Sequence, residues 1–569
     1  MRSPSWKYLS PNLLLLQFAL LPAQAQPKLD GDPDLEINIL ATGIQEGMEI
    51  DIDRSGRVFI AERKGKVKLY TPGNPGTLTE LIDLQSDTRS ESGLIGIALD
   101  PDFEENQWVY LCHTVKDQDD PGKRMEHRLG RFVFADGKID PASEKILLKI
   151  KADAIKRIHS AGSIAFDAEG LIYLAMGDNQ IRSEYLYSCK TSANSNDLRG
   201  KILRIRPTPE GGYTIPEGNL FPPGTPKALP EIYIMGLRNP FRISVDKPTG
   251  WLLWGENGPP NAWAPGTKIP KTELPMGYDE FNIAKEAGFR GYPLIIANQQ
   301  AFTNYDFEKQ QALAKFDPDA PINDHKSNAG IQELPPSQPP LVWYQGSQPE
   351  FPELGPGGES AIAGPIYRMD PASPESSRLP AKYDGCWFVG EYSRGWVKAF
   401  KLDEDGGLEK IMPVLPALKL GKPTNLKIGP DGQLYVLYYS KNDKGHLVRL
   451  ENPGVVPGSA PAKFLLSNDK PPRQLKGLKG IKLMSKSDCA NCHNWQKPSI
   501  GPKFFDIAKR YQPDADAESK LAQKVVAGGT GLWGEIPMPP HPLLPPEEAK
   551  EMVKAILALN ELEWKKAKK

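Results

Sequence analysis

Cysteine is scarce in this chain. Five residues in 569 cannot build a disulfide framework that would hold the fold. Charge of one sign is lacking too. The 70 Lys and Arg are matched by 71 Asp and Glu, so no basic excess points to a nucleic acid. No apolar run reaches the roughly 20 residues a membrane span needs. The longest candidate, residues 13–21, is short and broken by Gln17. It follows Arg2 and Lys7 and precedes Ala23-Gln24-Ala25, which reads as a signal peptide over 1–25 with cleavage before Gln26. A short uncleaved anchor is the alternative. The mature chain is therefore expected to be exported, periplasmic or secreted, without a membrane span. Outside one Cys-x-x-Cys motif only Cys112, Cys189 and Cys386 remain, so at most one disulfide forms among them; buried thiols are the other reading.

Gly (52) and Pro (56) are plentiful, as in turn-rich β architectures with long loops. A chain this long exceeds one ordinary core. Between residues 36 and 452 one pattern recurs: an apolar strand, a turn holding Asp or Gly, and a second apolar strand. It appears at 50–60, 97–111, 164–174, 243–254, 366–389 and 426–436. Six such hairpins, often followed by a further strand, predict a mainly β fold, a six-bladed β-propeller. A pair of β-sandwiches is the alternative. Pro-rich stretches at 259–275 and 310–360 are expected between blades four and five.

Residues 453–473 carry Pro453, Pro457, Pro461, Pro471 and Pro472 and read as a linker. From 474 to 565 the pattern turns helical, forming a small all-α domain. Apolar residues three and four apart predict helices over 519–527 and 547–562. A helix from 475 to 484 is weakened by Gly477 and Gly480.

That region holds Cys489-Ala490-Asn491-Cys492-His493. In C-x-x-C-H the two thiols add to haem vinyl groups, and the adjacent His ligates the iron. Zinc would need two further ligands, and no other Cys or His pair supplies them. The sixth iron ligand of an electron carrier is a soft donor. Met538 lies in a Pro-stiffened loop, Glu535 to Pro540. Met484 and Met552 fall at apolar helical positions, where core packing is the simpler role, and His541 is a further rival.

C-x-x-C-H, Ile500-Gly501-Pro502, the Gly-rich 528–534, Met538-Pro539 and a last helix ending near Leu559 resemble the small bacterial class I cytochromes c. The resemblance implies that the Pro502 carbonyl accepts a hydrogen bond from His493 and that Met538 is the axial ligand.

A haem domain alone only carries electrons, so its fusion to a large propeller suggests a redox site there. His159 precedes the third hairpin, where loops line a propeller's channel, and is a candidate general base. A satisfied loop histidine is the plainer reading. Arg238 precedes the fourth hairpin and is suited to an anionic cofactor group; a surface ion pair is its plainer reading. Trp343 and Tyr344 are candidates to stack on a sugar, unless they are core aromatics.

Several motifs, in order, resemble the soluble pyrroloquinoline-quinone (PQQ) glucose/sorbosone dehydrogenase family. They are Ser92-Gly93-Leu94-Ile95-Gly96 with Asp100-Pro101-Asp102-Phe103; His159-Ser160-Ala161-Gly162; Met176-Gly177-Asp178-Asn179; residues 198–204; Gly236-Leu237-Arg238-Asn239-Pro240; Glu256-Asn257-Gly258-Pro259; and Asp279-Glu280-Phe281-Asn282. The resemblance implies that His159 deprotonates a sugar hydroxyl as hydride passes to PQQ, with Asp178 orienting it. Arg238 and Asn239 would contact the quinone, and the Gly258 and Pro259 carbonyls would hold calcium. The chain also departs from the family. Glu91 stands where the family has Gln. Ser393 (beside Arg394), Lys422 and Thr424 stand where it has a Lys and two Arg. Glu91 and Lys422 are thus the remaining PQQ-site candidates on that side.

The expected function is oxidation of a sugar-like alcohol or aldose, with electrons leaving through haem c to an external acceptor such as another cytochrome. The alternative is a propeller that only binds carbohydrate or protein, tethered to an electron-transfer cytochrome.

Overall fold

The structure is a computed structural model. It describes residues 32–566 except 33, 74–75, 155–157, 181–183, 347–349, 371–377, 418–419, 441–444, 453–471, 473–474, 476, 485–492, 494, 496–501, 512–513, 529–532, 534–537 and 539–543. The signal peptide, Cys489, Cys492, His541 and nearly all of the linker lie outside the described residues.

Six sheets form the propeller, antiparallel throughout except where Gly288–Phe289 runs parallel to Ile232–Met235 at the edge of the third. Each begins with an apolar strand: Gly47–Ile52, Leu94–Leu99, Ala161–Phe166, Pro240–Asp246, Ala361–Ile366 and Lys422–Ile428. These six strands touch in succession, and the last touches the first, so they ring a central axis. Blades one, two and five are built from consecutive strands, whereas blades three and four each end on a strand that comes later in the chain, Gly288–Phe289 and Val342–Tyr344. The sixth takes its outer strand from the other end: Glu36–Ile44 pairs with Gly445–Glu451.

Polar residues on the innermost strands stitch neighbouring blades together. Glu49 of blade one accepts the Ile97 N–H of blade two (3.1 Å) and the Ser163 hydroxyl of blade three (2.5 Å). Arg242 of blade four donates to the Thr424 carbonyl of blade six (2.9 Å) and the Met48 carbonyl of blade one (2.5 Å). Both are fully buried. Burial pushes the Glu49 carboxyl up and the Arg242 guanidinium down to about 10, and their mutual attraction opposes both shifts.

One expectation needs correction, and two open readings are resolved. The Pro-rich stretches do not separate blades four and five. Residues 259–275 lie between the strands Trp251–Glu256 and Asp279–Ala284 of blade four, and its outer strand, Val342–Tyr344, lies within 310–360. Turn residues marked loops but not which strands they join. Tyr344 is fully buried, stacked on Phe281, and Trp343 packs edge-on against Phe351, so the Tyr344 ring offers no face to a sugar. Cys112, Cys189 and Cys386 are buried free thiols.

The helical region contains Lys479–Met484, Phe504–Tyr511, Ala517–Ala527 and Pro546–Lys566. The first three all pack on the last. Met484 and Met552 sit in that core with Leu475, Ile481, Trp495 and Phe504, as their apolar spacing implied. The first helix starts later than the pattern suggested. Gly480, which weakened that reading, allows close packing: a Cβ there would lie 2.0 Å from the Glu551 carbonyl oxygen. No described helix is long and apolar enough to cross a membrane.

Candidate functional site

His159 sits just before the inner strand of blade three, and its φ of +69° is unusual for a residue with a Cβ. Two contacts hold it there. Its N–H donates to a Glu91 carboxylate oxygen (2.8 Å), and its Nδ1 lies 2.7 Å from Asp178 Oδ1. Asp178 follows the second strand of the same blade, Ile172–Met176, so one hairpin delivers both residues.

The chemistry of the pair follows from hydrogen bonding. An ionised carboxylate only accepts, so a neutral His159 carries its proton on Nδ1 and leaves Nε2 bare. Burial holds the imidazole below its usual value, the Arg238 charge lowers it further, and Asp178 opposes both. A neutral, oriented imidazole with a bare nitrogen is equipped to accept a proton.

Arg238 is buried, not a surface ion-pair residue. It donates through Nη1 to the Asn257 carbonyl (2.9 Å) and through Nε to Gln180 Oε1 (3.3 Å). One Glu256 oxygen accepts the N–H groups of Arg238 (2.8 Å) and Asn239 (2.6 Å), which shapes this turn. The side-chain oxygen of Asn239 has no partner among the described residues.

Arg238, Glu256, Gly258, Pro259 and Tyr292 line one small pocket. Asp279 braces the 256–259 turn from behind. It accepts the Gly258 N–H (2.8 Å) and the Ala361 N–H (2.9 Å). Only glycine fits at 258, because a Cβ would lie 1.7 Å from the Tyr278 carbonyl oxygen. Burial raises Asp279 to about 7 and lifts Glu256 well above the carboxylate range. Among the described residues no cluster of three His, Cys, Asp or Glu side chains forms a metal site, so a cation here would rely on backbone carbonyls. The unpartnered second oxygen of buried Glu256, in the same pocket, suits a cation.

The other candidates are less gathered. Lys422 is exposed, with its ammonium 4.8 Å from the Tyr392 ring centre. Thr424 turns its hydroxyl to the Gly47 and Leu437 carbonyls. Ser393 is exposed and meets Ser360. Arg394 binds the Gln345, Leu354, Gly355 and Gly358 carbonyls, so it does not replace a lost cofactor-binding cation. Glu91 is a brace for the His159 backbone.

Gln180, Ser188 and Tyr292 join this network without having been singled out in the sequence. Gln180 directly follows a quoted motif. Ser188 and Tyr292 lie in long connections with no local pattern, so no sequence signal marks them.

In the helical region His493 Nδ1 lies 2.7 Å from the Pro502 carbonyl. The carbonyl accepts, so Nδ1 holds the proton and Nε2 is left for iron, which fits a haem ligand. The ring stacks on Phe504 at 5.3 Å. Met538 is half-buried.

Comparison with known proteins agrees with both halves. The family model Glucose / Sorbosone dehydrogenase matches residues 44–331, just over half of the chain, and the family model Cytochrome c matches 478–560. Cytochrome c-551 of Allochromatium vinosum is 42% identical over 82 residues, covering 14% of this chain and 87% of that protein. Quinoprotein glucose dehydrogenase B of Acinetobacter calcoaceticus is 24% identical over 278 residues, 45% of this chain and 53% of that protein, about half its length. The crystal structure of the soluble aldose sugar dehydrogenase of Escherichia coli, in its apo-form, shares the fold. Its TM-score is 0.51 at 19% identity, with 74% of this chain and 99% of that one covered. The chain is therefore an oxidoreductase-type propeller joined to a haem domain, and it belongs to the glucose/sorbosone dehydrogenase family with a cytochrome c domain at its C-terminal end.

Proposed function

We propose that the protein oxidises a sugar-like alcohol or aldose at a PQQ and calcium site in the propeller channel, and passes the electrons through covalent haem c to an external acceptor. One observation carries this reading: an oriented, neutral His159–Asp178 pair in the same buried network as Arg238, which lines a pocket with the 258–259 turn. The quinoprotein relative supports the cofactor class.

The residues present fit PQQ and calcium at that end of the site. Arg238 and Asn239 would contact the quinone, and the Gly258 and Pro259 carbonyls would hold the cation. When bound, the quinone supplies a two-electron acceptor that the cation polarises. His159 Nε2 accepts the substrate hydroxyl's proton, Asp178 stabilises the imidazolium through Nδ1, and Glu91 keeps the His159 backbone in its left-handed conformation. Lys422 is the remaining cation for the outer carboxylates of PQQ.

In the second domain Cys489 and Cys492 would carry the haem covalently, and His493 Nε2 and Met538 would ligate its iron. Residues 1–25 direct export, placing the mature chain in the periplasm or outside the cell.

Full-length protein reconstituted with PQQ and calcium is expected to reduce its own haem when aldoses are added. The absorbance of the haem α-band reports this. His159→Ala should lower the rate by about 10²-fold or more. Haem reduction by aldoses that persists without quinone, or that His159→Ala leaves intact, rejects the mechanism.

One geometric observation favours the non-catalytic alternative. Thr424 and Arg394 both face backbone carbonyls, which thins the basic cradle. A propeller that takes up no PQQ at micromolar concentration would be the binding module instead.

A further inference from the structure

His159 uses one oxygen of Asp178. The other accepts the Ser188 hydroxyl at 2.6 Å. The Tyr292 side chain lies beside Ser188. The Tyr292 oxygen accepts from Gln180 Nε2 at 3.2 Å. Gln180 presents its carbonyl oxygen to Arg238 Nε at 3.3 Å, and its backbone N–H donates to the Asp178 oxygen that His159 uses, at 3.0 Å. Ser188 and Gln180 thus hold the two oxygens of Asp178 from opposite sides. Asp178, Gln180 and Ser188 are fully buried, and Arg238 and Tyr292 nearly so, so water does not compete for these bonds. Chains of aligned donors polarise one another in such surroundings.

We infer that Ser188, backed by Tyr292, is a positioning residue for the proton-accepting histidine: it clamps the Asp178 oxygen that His159 leaves free, while Gln180 ties the carboxylate to Arg238, the cation lining the candidate cofactor pocket. The inference rests on the reading of His159 as the base. Its physical logic is that a carboxylate held on one side only can rotate. Rotation weakens the Nδ1 bond and lets the ring sample the other tautomer, in which Nε2 carries the proton and cannot accept one. Ser188 comes from the short 3₁₀ turn Tyr187–Lys190, and Tyr292 from the connection after Asp279–Ala284, so two otherwise separate loops converge on one carboxylate. Burying Tyr292 in this pocket also keeps its hydroxyl protonated.

The test uses full-length protein and does not depend on cofactor. Long-range proton–nitrogen spectra of the histidine rings, assigned with His159→Ala, read tautomer and titration directly. Wild type should show only the Nδ1–H form for neutral His159. Ser188→Ala should introduce Nε2–H signal and move the His159 titration, and Tyr292→Phe should do so to a smaller extent. The charged groups around the ring are Glu91 from the segment before blade two, Asp178 beside it and Arg238 from the start of blade four. All stay in place in both variants, so a change traces to the clamp. With PQQ and calcium restored, kcat should fall about tenfold in Ser188→Ala at unchanged KM. His159 signals that superimpose on wild type in both variants overturn the inference. An altered tautomer in a wild-type background that never oxidises aldoses leaves the clamp standing and removes the base role instead.

Discussion

The polar stitching at the axis gives the most direct test of how the site is held. Arg242 donates to carbonyls of blades six and one, and Glu49 accepts from blades two and three. Arg242→Met keeps similar bulk but leaves the Thr424 and Met48 carbonyls without their donors and removes the cation that faces Glu49. Each abandoned buried acceptor costs about 1–3 kcal/mol. The buried Glu49 carboxyl also loses the positive charge that opposes its desolvation. Domains of this kind are stable by only about 5–15 kcal/mol, so the variant should lose a large share of that margin. Urea unfolding followed by tryptophan fluorescence measures it, since Trp254 and Trp387 are fully buried in blades four and five. Glu49→Gln should cost less alone. Combining it with Arg242→Met should cost less than the sum, because the double variant strands no charge. A loss under about 1 kcal/mol for Arg242→Met, or strict additivity in the cycle, refutes the account.

Three further outcomes are expected. Burial raises Glu391 from 4.5 to about 8 in the folded protein. A raised folded value means the stability this group contributes is full below pH 4.5 and is lost as pH rises through about 8, at up to about 1.4 kcal/mol per pH unit. Glu391→Gln should flatten the stability profile over that window in urea titrations at stepped pH, and an unchanged slope counts against it. Met538→Ala should lower the haem reduction potential and alter the visible spectrum, since a thioether ligand favours reduced iron; an unchanged spectrum and potential assign the ligand elsewhere. Finally, Arg238 lowers His159 through its charge, so the His159→Ala rate loss should be largest above the imidazole's depressed titration, where wild-type His159 is neutral, and smallest in acid. A rate loss independent of pH contradicts a proton-accepting role.

The blade count was legible because each inner hairpin carries its own period-two pattern and turn. Pairings across long connections were not legible. Nothing in residues 36–44 announces a partner at 445–451, and the Pro-rich runs gave loop character without saying that blade four's outer strand lies within 310–360. In the site, His159, Asp178, Arg238 and the 258–259 turn sit in motifs whose residues are close in sequence to their own blade. Ser188 and Tyr292 act through hydroxyls delivered by loops, and a hydroxyl becomes informative only when its partner is known. Arg394 shows the opposite case: it stands next to a place where the resembled family has a cation, yet its surroundings engage it with backbone carbonyls.

The shared sheet of blade six has a temporal consequence. A growing chain makes Glu36–Ile44 first, yet that strand finds its neighbour only after Gly445–Glu451 has been synthesised. The ring therefore latches last, at a seam whose later strand is the one that precedes the haem domain in sequence. Shutting the propeller and carrying the second domain thus fall to the same strand pair, and tension arriving along the chain from that side would reach this latch before any other blade.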